Sequence, residues 1–178
     1  MKENIKEILI DAETIQAKVA EIGARLSEDY KDKNPIAICI LKGSVIFFAD
    51  LIREIKVPVE IDFIKASSYG RGTESSGKVE MAGDLSIDVA GRSILLVEDI
   101  VDSGNTLKFF TEFFKEKGAS EVKICTLLDK PERRVVDLEA DYTCFEIPDE
   151  FVVGYGLDYA QQYRNMPEIG ILKESCYM

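Results

Sequence analysis

Histidine is absent from this 178-residue chain. Without an imidazole, proton transfer near neutral pH falls to Asp, Glu, Lys or Tyr, and a His-based triad and most zinc sites are excluded. Cysteine is sparse. Cys39, Cys125, Cys144 and Cys176 form no C-x-x-C pair, and the first three lie in apolar, strand-like runs. Buried free thiols are therefore expected, rather than disulfides or metal ligands. No apolar stretch approaches the length of a membrane span, and no basic-then-apolar leader is visible, so a cytoplasmic, unprocessed protein without membrane contact is expected. Positive charge is also short: 22 Lys and Arg stand against 33 Asp and Glu. The resulting net charge of −11 argues against nucleic-acid or anionic-membrane partners. It is compatible with a small anionic ligand, because a few placed cations, amides and a metal outweigh the global charge locally.

What is present suits one domain, residues 1–178. Asp11 can cap a helix that runs to about Tyr30, with Ile15, Val19, Ile22 and Leu26 on one apolar face. Residues 36–41 and 121–128 read as buried strands, 57–66 as another, and 79–81, 142–147, 152–155 and 169–172 as shorter ones. Helical patterns cover residues 45–54 and 106–117, the second stopped by Gly118. Phe109 and Phe113 widen the apolar face of that second helix, which predicts cover from the sheet on one side and a partner subunit on the other. Strands alternating with helices predict an α/β domain with a mostly parallel sheet. Residues 67–78 carry three glycines, no aliphatic side chain and one aromatic, Tyr69. Nothing there can fill a core, so a long functional loop is expected.

The most informative stretch is residues 94–107, I-L-L-V-E-D-I-V-D-S-G-N-T-L. An apolar run, the mark of a strand buried on both faces, is expected to end at Glu98 and Asp99. A small polar loop, Asp102-Ser103-Gly104-Asn105-Thr106, then leads into a helix. That order predicts a phosphate and metal site at the carboxyl edge of a parallel sheet, with helix-start amides aimed at an anion. Read alone, the loop fits an N-capped turn equally well, and it lacks the spacing and lysine of a Walker A loop. Adjacent strand residues point to opposite faces, so Glu98 and Asp99 can share one ion only if the chain leaves the strand there. A solvated acidic strand end competes with that reading. Lys42 and Lys130 each follow a buried strand, and Asp158 and Arg164 follow the 152–155 run. Phe151 ends an irregular stretch, where its ring can be half-exposed and stack on a planar ligand.

Residues 97–107 resemble the phosphoribosyl-pyrophosphate (PRPP) binding motif of type I phosphoribosyltransferases. Leu41-Lys42-Gly43-Ser44, Ala66-Ser67-Ser68-Tyr69-Gly70, Leu127-Leu128-Asp129-Lys130-Pro131 and residues 147–159 extend the resemblance over nearly the whole chain, in order. It implies the family fold: a mostly parallel central sheet flanked by helices, with a small hood formed by N- and C-terminal segments. It implies a pentosyltransferase of purine salvage that moves the 5-phosphoribosyl group from PRPP to N9 of hypoxanthine, and of guanine. The products are then IMP or GMP and pyrophosphate. A xanthine-preferring enzyme and a non-catalytic PRPP-binding regulator are the competing readings.

The resemblance also implies residue roles. Asp102 takes the proton from purine N7. Amides and hydroxyls of Asp102, Ser103, Gly104, Asn105 and Thr106 hold the 5′-phosphate. Glu98 and Asp99 hold the ribose hydroxyls, directly or through Mg²⁺, and Asp158 holds a second Mg²⁺. Lys130 reads the 6-oxo group, Phe151 stacks on the base, and the Val152 main chain meets the purine edge. Lys42, Gly43 and Arg164 hold pyrophosphate, and in the family the peptide bond after the Leu41 position is often a non-proline cis bond. Ser68 and Tyr69 belong to a loop that closes over the reacting centre. A homodimer or homotetramer is implied. Asn105 departs from the family pattern, standing where other members carry lysine.

Overall fold

The computed structural model of the chain describes residues 2–68 and 79–177. Tyr69 and most of the expected glycine-rich loop therefore lie outside the described residues. The order of elements is β1 (Ile5–Ile10), α1 (Ala12–Asp29), β2 (Ile36–Leu41), α2 (Val45–Glu54), β3 (Glu60–Ser68), β4 (Val79–Ala82), β5 (Ser93–Val101), α3 (Asn105–Glu116), β6 (Glu121–Asp129), β7 (Tyr142–Glu146), β8 (Val152–Val153) and β9 (Ile169–Leu172).

Six strands form the central sheet in the order β4-β3-β2-β5-β6-β7. All neighbours are parallel except β3 and β4. The α/β expectation holds. β2 and β5 are buried along nearly their whole length because helices cover both faces. Their side chains alternate between two cores. Ala37, Cys39, Leu95 and Val97 face α1 and α2. Ile38, Ile40, Ile94 and Leu96 face α3, where Leu107, Phe110 and Phe114 meet them. The chain runs from β2 outward to β3, then returns to place β5 on the other side of β2. The topological switch therefore lies between β2 and β5, and ligands bind such sheets in the crevice beyond the carboxyl ends at that point.

α1 begins as its sequence predicts: the Asp11 carboxylate accepts from the Thr14 N–H at 2.8 Å. Two boundaries differ from expectation. β3 starts at Glu60 rather than residue 57, because Pro58 has no N–H to offer a ladder. β5 does not stop at Val97. It continues through Glu98 and Asp99 to Val101, paired with an equally long β6 as far as Val101↔Asp129.

A second sheet, β1-β9-β8, is antiparallel and joins the two ends of the chain into the expected hood. Its pairs include Ile5↔Leu172 and Val152↔Ile171. Val153, Tyr163, Met166 and Leu172 form its small core. Phe109 and Phe113 are half-buried and stack on each other at 6.3 Å. The large apolar side chains left exposed among the described residues include Ile61 and Phe63 on β3 instead. No helix among the described residues is long and apolar enough to cross a membrane. Cys39, Cys125 and Cys144 are buried free thiols, and Cys176 is half-buried.

Candidate active site

At the carboxyl end of β2 the Leu41–Lys42 peptide is cis. The Lys42 carbonyl accepts from the Val45 N–H at 3.2 Å, which starts α2. Gly43 sits between, and nothing larger fits: a Cβ there would collide with the Asp99 carboxylate. Gly156, at φ 102°, brings the hood loop so close that its own Cβ would strike the Gly43 carbonyl. Three segments therefore meet at bare backbone: the end of β2, the acidic part of β5, and the hood.

Glu98 is buried and Asp99 half-buried. Alternation along β5 predicts that the two diverge, and the chain does remain a strand. Each side chain folds back onto local backbone. Asp99 N–H donates to Glu98 Oε1 at 3.1 Å, and Ile100 N–H to Asp99 Oδ1 at 2.8 Å. Both residues line the same cleft. Burial pushes the Glu98 carboxyl well above the ordinary carboxylate range, and the neighbouring Asp99 charge adds to it. Burial raises Asp99 too, against the opposing pull of Glu98, the Ile100 amide and the more distant Arg164. A solvated acidic strand end is thereby overturned.

The loop after β5 has the geometry of an anion cradle. Gly104 takes φ 85°, and a Cβ there would lie 2.7 Å from Val136 Cγ2. Gly104 is also the N-cap of α3, so no side chain caps the helix. Among the described residues, only a long contact, Asn105 N–H to Ser103 Oγ at 3.4 Å, touches the first turn from a side chain. The side-chain-capped turn considered for this loop is thus not what forms, and the first amides of α3 have no side-chain cap. A cleft of about 230 Å³ lies over them, lined by Glu98, Asp99, Asp102, Ser103, Gly104 and Thr106 among others. Asp102 faces it half-exposed, with its carboxylate held by Arg133 Nε at 2.9 Å. Arg133 Nη1 also lies 3.6 Å from Asp149.

Lys130 follows β6 and is buried. Its Nζ donates to the Glu150 carbonyl at 2.8 Å and lies 3.4 Å from the Asp149 carboxylate. That bond brings the next residue, Phe151, to the same wall of the site. Val152 begins β8 behind it. Across the hood loop, Arg164 bonds the Gly156 carbonyl at 2.7 Å and pairs with Asp158 at 2.7 Å. Gln161 Oε1 collects both Arg164 at 3.3 Å and Lys42 at 3.5 Å, while its N–H caps Asp158 at 2.8 Å. Lys42, Gly43, Asp158 and Arg164 are therefore brought together, around a glutamine that sequence reasoning passed over. Arg133 was passed over as well. Neither leaves a periodic signal, and Arg133 is marked only by lying three residues after Lys130. Of the loop pair, Ser68 closes β3 and pairs in register with Val79, and Tyr69 lies outside the described residues.

The phosphoribosyl transferase domain model matches residues 6–160. A hypoxanthine-guanine phosphoribosyltransferase of Streptococcus thermophilus is 50% identical over 177 residues, covering 99% of this chain and 98% of its own. One from Bacillus subtilis is 52% identical over the same span and shares. The crystal structure of a hypoxanthine phosphoribosyltransferase from Staphylococcus aureus in a tetragonal space group superposes with a TM-score of 0.96 at 47% identity, covering 100% of this chain and 97% of that one.

Proposed function

This chain belongs to the phosphoribosyltransferase family, and from that premise we propose how its sheet edge and hood divide the work of its relatives. The protein is a purine-salvage enzyme that transfers the 5-phosphoribosyl group of PRPP to N9 of hypoxanthine or guanine and releases pyrophosphate. The observation that carries this is identity near 50% to hypoxanthine-guanine phosphoribosyltransferases over nearly the full length of both chains. Residues 1–178 act as one phosphoribosyltransferase domain.

In this reading the amides and hydroxyls of Asp102 to Thr106 receive the 5′-phosphate, which supports Asn105 in place of lysine because the uncapped α3 start supplies donors. Lys130 donates to O6 of the base, Phe151 stacks on its face, and the Val152 main chain meets its edge. Asp102 accepts the N7 proton as N9 bonds to the anomeric carbon. Lys42, Gly43 and Arg164 receive pyrophosphate, with Gln161 aligning the two cations. Ser68 and Tyr69 belong to the segment that shields the reacting carbon from water.

The buried acidic pair fits a divalent cation. Two carboxyls that burial disfavours as anions are stabilised by a nearby positive ion, and Mg²⁺ is content with few protein ligands when substrate oxygens supply the rest. Among the described residues no trio of acidic or thiol groups forms a full cage, which suits that partial arrangement. Glu98 and Asp99 would hold one Mg²⁺ or the ribose hydroxyls directly, and Asp158 a second ion once released from Arg164. Bound Mg²⁺ would neutralise charge on the departing pyrophosphate. The same carboxylates favour the cationic character that develops at the anomeric carbon. A homodimer or homotetramer in the cytoplasm completes the reading. The exposed Ile61 and Phe63 on β3 support a partner on that side rather than at Phe109 and Phe113.

Steady-state turnover with PRPP, Mg²⁺ and each of hypoxanthine, guanine, xanthine and adenine tests the proposal. Hypoxanthine and guanine should turn over well, and the other two poorly. Xanthine as best substrate, or no turnover with any base, would overturn it. Lys130→Ala should lower the preference for hypoxanthine over adenine roughly tenfold or more, the scale of one charged hydrogen bond.

A further inference from the structure

We propose that Tyr177 is a positioning residue for the purine: its ring backs Phe151, so that Tyr177, Phe151 and the base form one continuous stack. The inference rests on the reading of Phe151 as the base platform.

Tyr177 covers one face of the Phe151 ring, with centroids 4.8 Å apart and planes 24° from parallel. Tyr159 meets Phe151 edge-on at 5.7 Å and 87°, and meets Tyr177 at 6.5 Å and 63°. One face and one edge of Phe151 are thus taken, yet 37% of the residue stays exposed. The open face is the one available to a flat ligand. A ring held from behind and free in front behaves as a platform rather than as a core side chain.

The backbone explains how Tyr177 reaches this place. Leu172, the last residue of β9, donates its N–H to the Phe151 carbonyl at 2.8 Å, which ties the two segments together. The next residue, Lys173, bonds to Asn4 O at 3.0 Å. A 3₁₀ turn, Glu174–Cys176, then reverses the chain, with Cys176 N–H to Lys173 O at 2.9 Å and Tyr177 N–H to Glu174 O at 3.0 Å. The turn brings Tyr177 back across Phe151 and packs it on the hood cluster beside Ile5 and Tyr159. An aromatic platform with an empty space behind it would have to be ordered by the base at the moment of binding. One already wedged in place spares the ligand that entropic cost.

The test is steady-state kinetics of Tyr177→Ala and Tyr177→Phe, with base and PRPP varied separately. In Tyr177→Ala the KM for hypoxanthine should rise roughly two- to tenfold, the effect of losing one aromatic pair. The KM for PRPP and kcat should stay within about twofold, since neither depends on the stack. Tyr177→Phe keeps the ring and should restore the base KM. A fall in base KM in Tyr177→Ala would mean that the ring occupies the place of the base, and would overturn the proposal. An unchanged base KM, an equal rise for both substrates, or failure of Tyr177→Phe to restore it would do so as well. Phe151→Ala separates this inference from the reading beneath it. If Phe151→Ala leaves the base KM alone, the platform assignment itself is wrong. If it raises that KM and Tyr177→Ala does not, only the backing role fails.

Discussion

Along the carboxyl edge of the sheet, each site residue lies in or directly after the strand that carries it: Lys42 after β2, Glu98 and Asp99 within β5, Lys130 after β6. In the hood, the groups that face them are set by contacts across the whole chain, such as Ile5↔Leu172 and the Lys173 N–H on Asn4 O. The edge is held by strands buried on both faces. The hood is held by a short antiparallel sheet and by turns in which Tyr155, Ala160, Gln161 and Tyr163 all take positive φ. Lys130 at the edge and Arg164 and Asp158 in the hood cross this division, while the acidic edge and the aromatic hood suit two kinds of chemistry. Groups that stabilise developing charge work when they are fixed beforehand. Groups that recognise a flat base need a shaped surface. Changes at Glu98, Asp99 and Asp102 should therefore act mainly on kcat, and changes at Phe151 and Tyr177 mainly on the KM for the base.

The largest effect that could break this contrast lies at Asp102. On the proposed assignment Asp102→Asn removes the proton acceptor but keeps an oxygen for Arg133. The expected fall in kcat is about 10²- to 10⁴-fold, the usual range for a positioned general base, with the KM for hypoxanthine little changed. Rapid-mixing or steady-state turnover measures it. A kcat near that of the unaltered enzyme would remove the proton-transfer role from Asp102.

Glu98 offers an intermediate effect of opposite sign for stability and activity. Its carboxyl sits above the ordinary range because it is buried beside Asp99. The folded protein thus holds that proton more tightly than the unfolded chain does. Without metal, stability should fall as pH rises through and above the ordinary carboxylate range. Glu98→Gln keeps the oxygen that accepts from the Asp99 N–H and deletes the charge. Its metal-free melting temperature near neutral pH should rise by about 2–4 °C, the shift that about 1 kcal/mol gives a chain of this size. Its pH slope should flatten, and its turnover should drop. Differential scanning fluorimetry over a pH series reads this directly. A lower melting temperature throughout would show that the charge at the edge is already compensated in the empty enzyme.

The same contrast explains what could be read from the residues alone. β2, β5 and β6 were legible because burial on both faces demands unbroken apolar runs, and α1 because Asp11 and its apolar face are local signals. The loop Asp102 to Thr106 was legible as a loop, since its small polar residues are contiguous. β1 was not foreseen as a strand: of its six residues only Ile10 is buried, and its partner lies at the far end of the chain. That Glu98 and Asp99 line one cleft was hidden because strand alternation predicts divergence, and their side-chain bonds to local amides leave no signal in the sequence. Gln161, Arg133 and Tyr177 act through tertiary contacts that leave no period in the sequence. The edge follows from local pattern, and the hood from closure.

The smallest expected effect compares thiols of the two regions. Cys39, Cys125 and Cys144 lie in the core beneath the edge, and Cys176 in the turn that leads to Tyr177. Burial pushes the Cys39 thiol up to about 11 and the Cys144 thiol up to about 12, and Cys125 well above its usual range. The thiolate is the nucleophile, so at about pH 8 roughly one Cys39 in a thousand would be reactive even if a reagent could reach it. Cys39 also lies 3.3 Å from Ser44 Oγ, packed at the foot of α2. Iodoacetamide under native conditions should therefore modify Cys176 first, to about one equivalent, with the other three reacting at the rate of unfolding. Peptide mass spectrometry over a time course gives the order. Labelled protein should keep most of its kcat, because Cys176 touches no charge-stabilising group, while the base KM should drift upward as the bulkier side chain disturbs the turn that seats Tyr177. Core thiols reacting alongside Cys176 would mean that the sheet opens as readily as the hood, and the rigidity assigned to the edge would have to be given up.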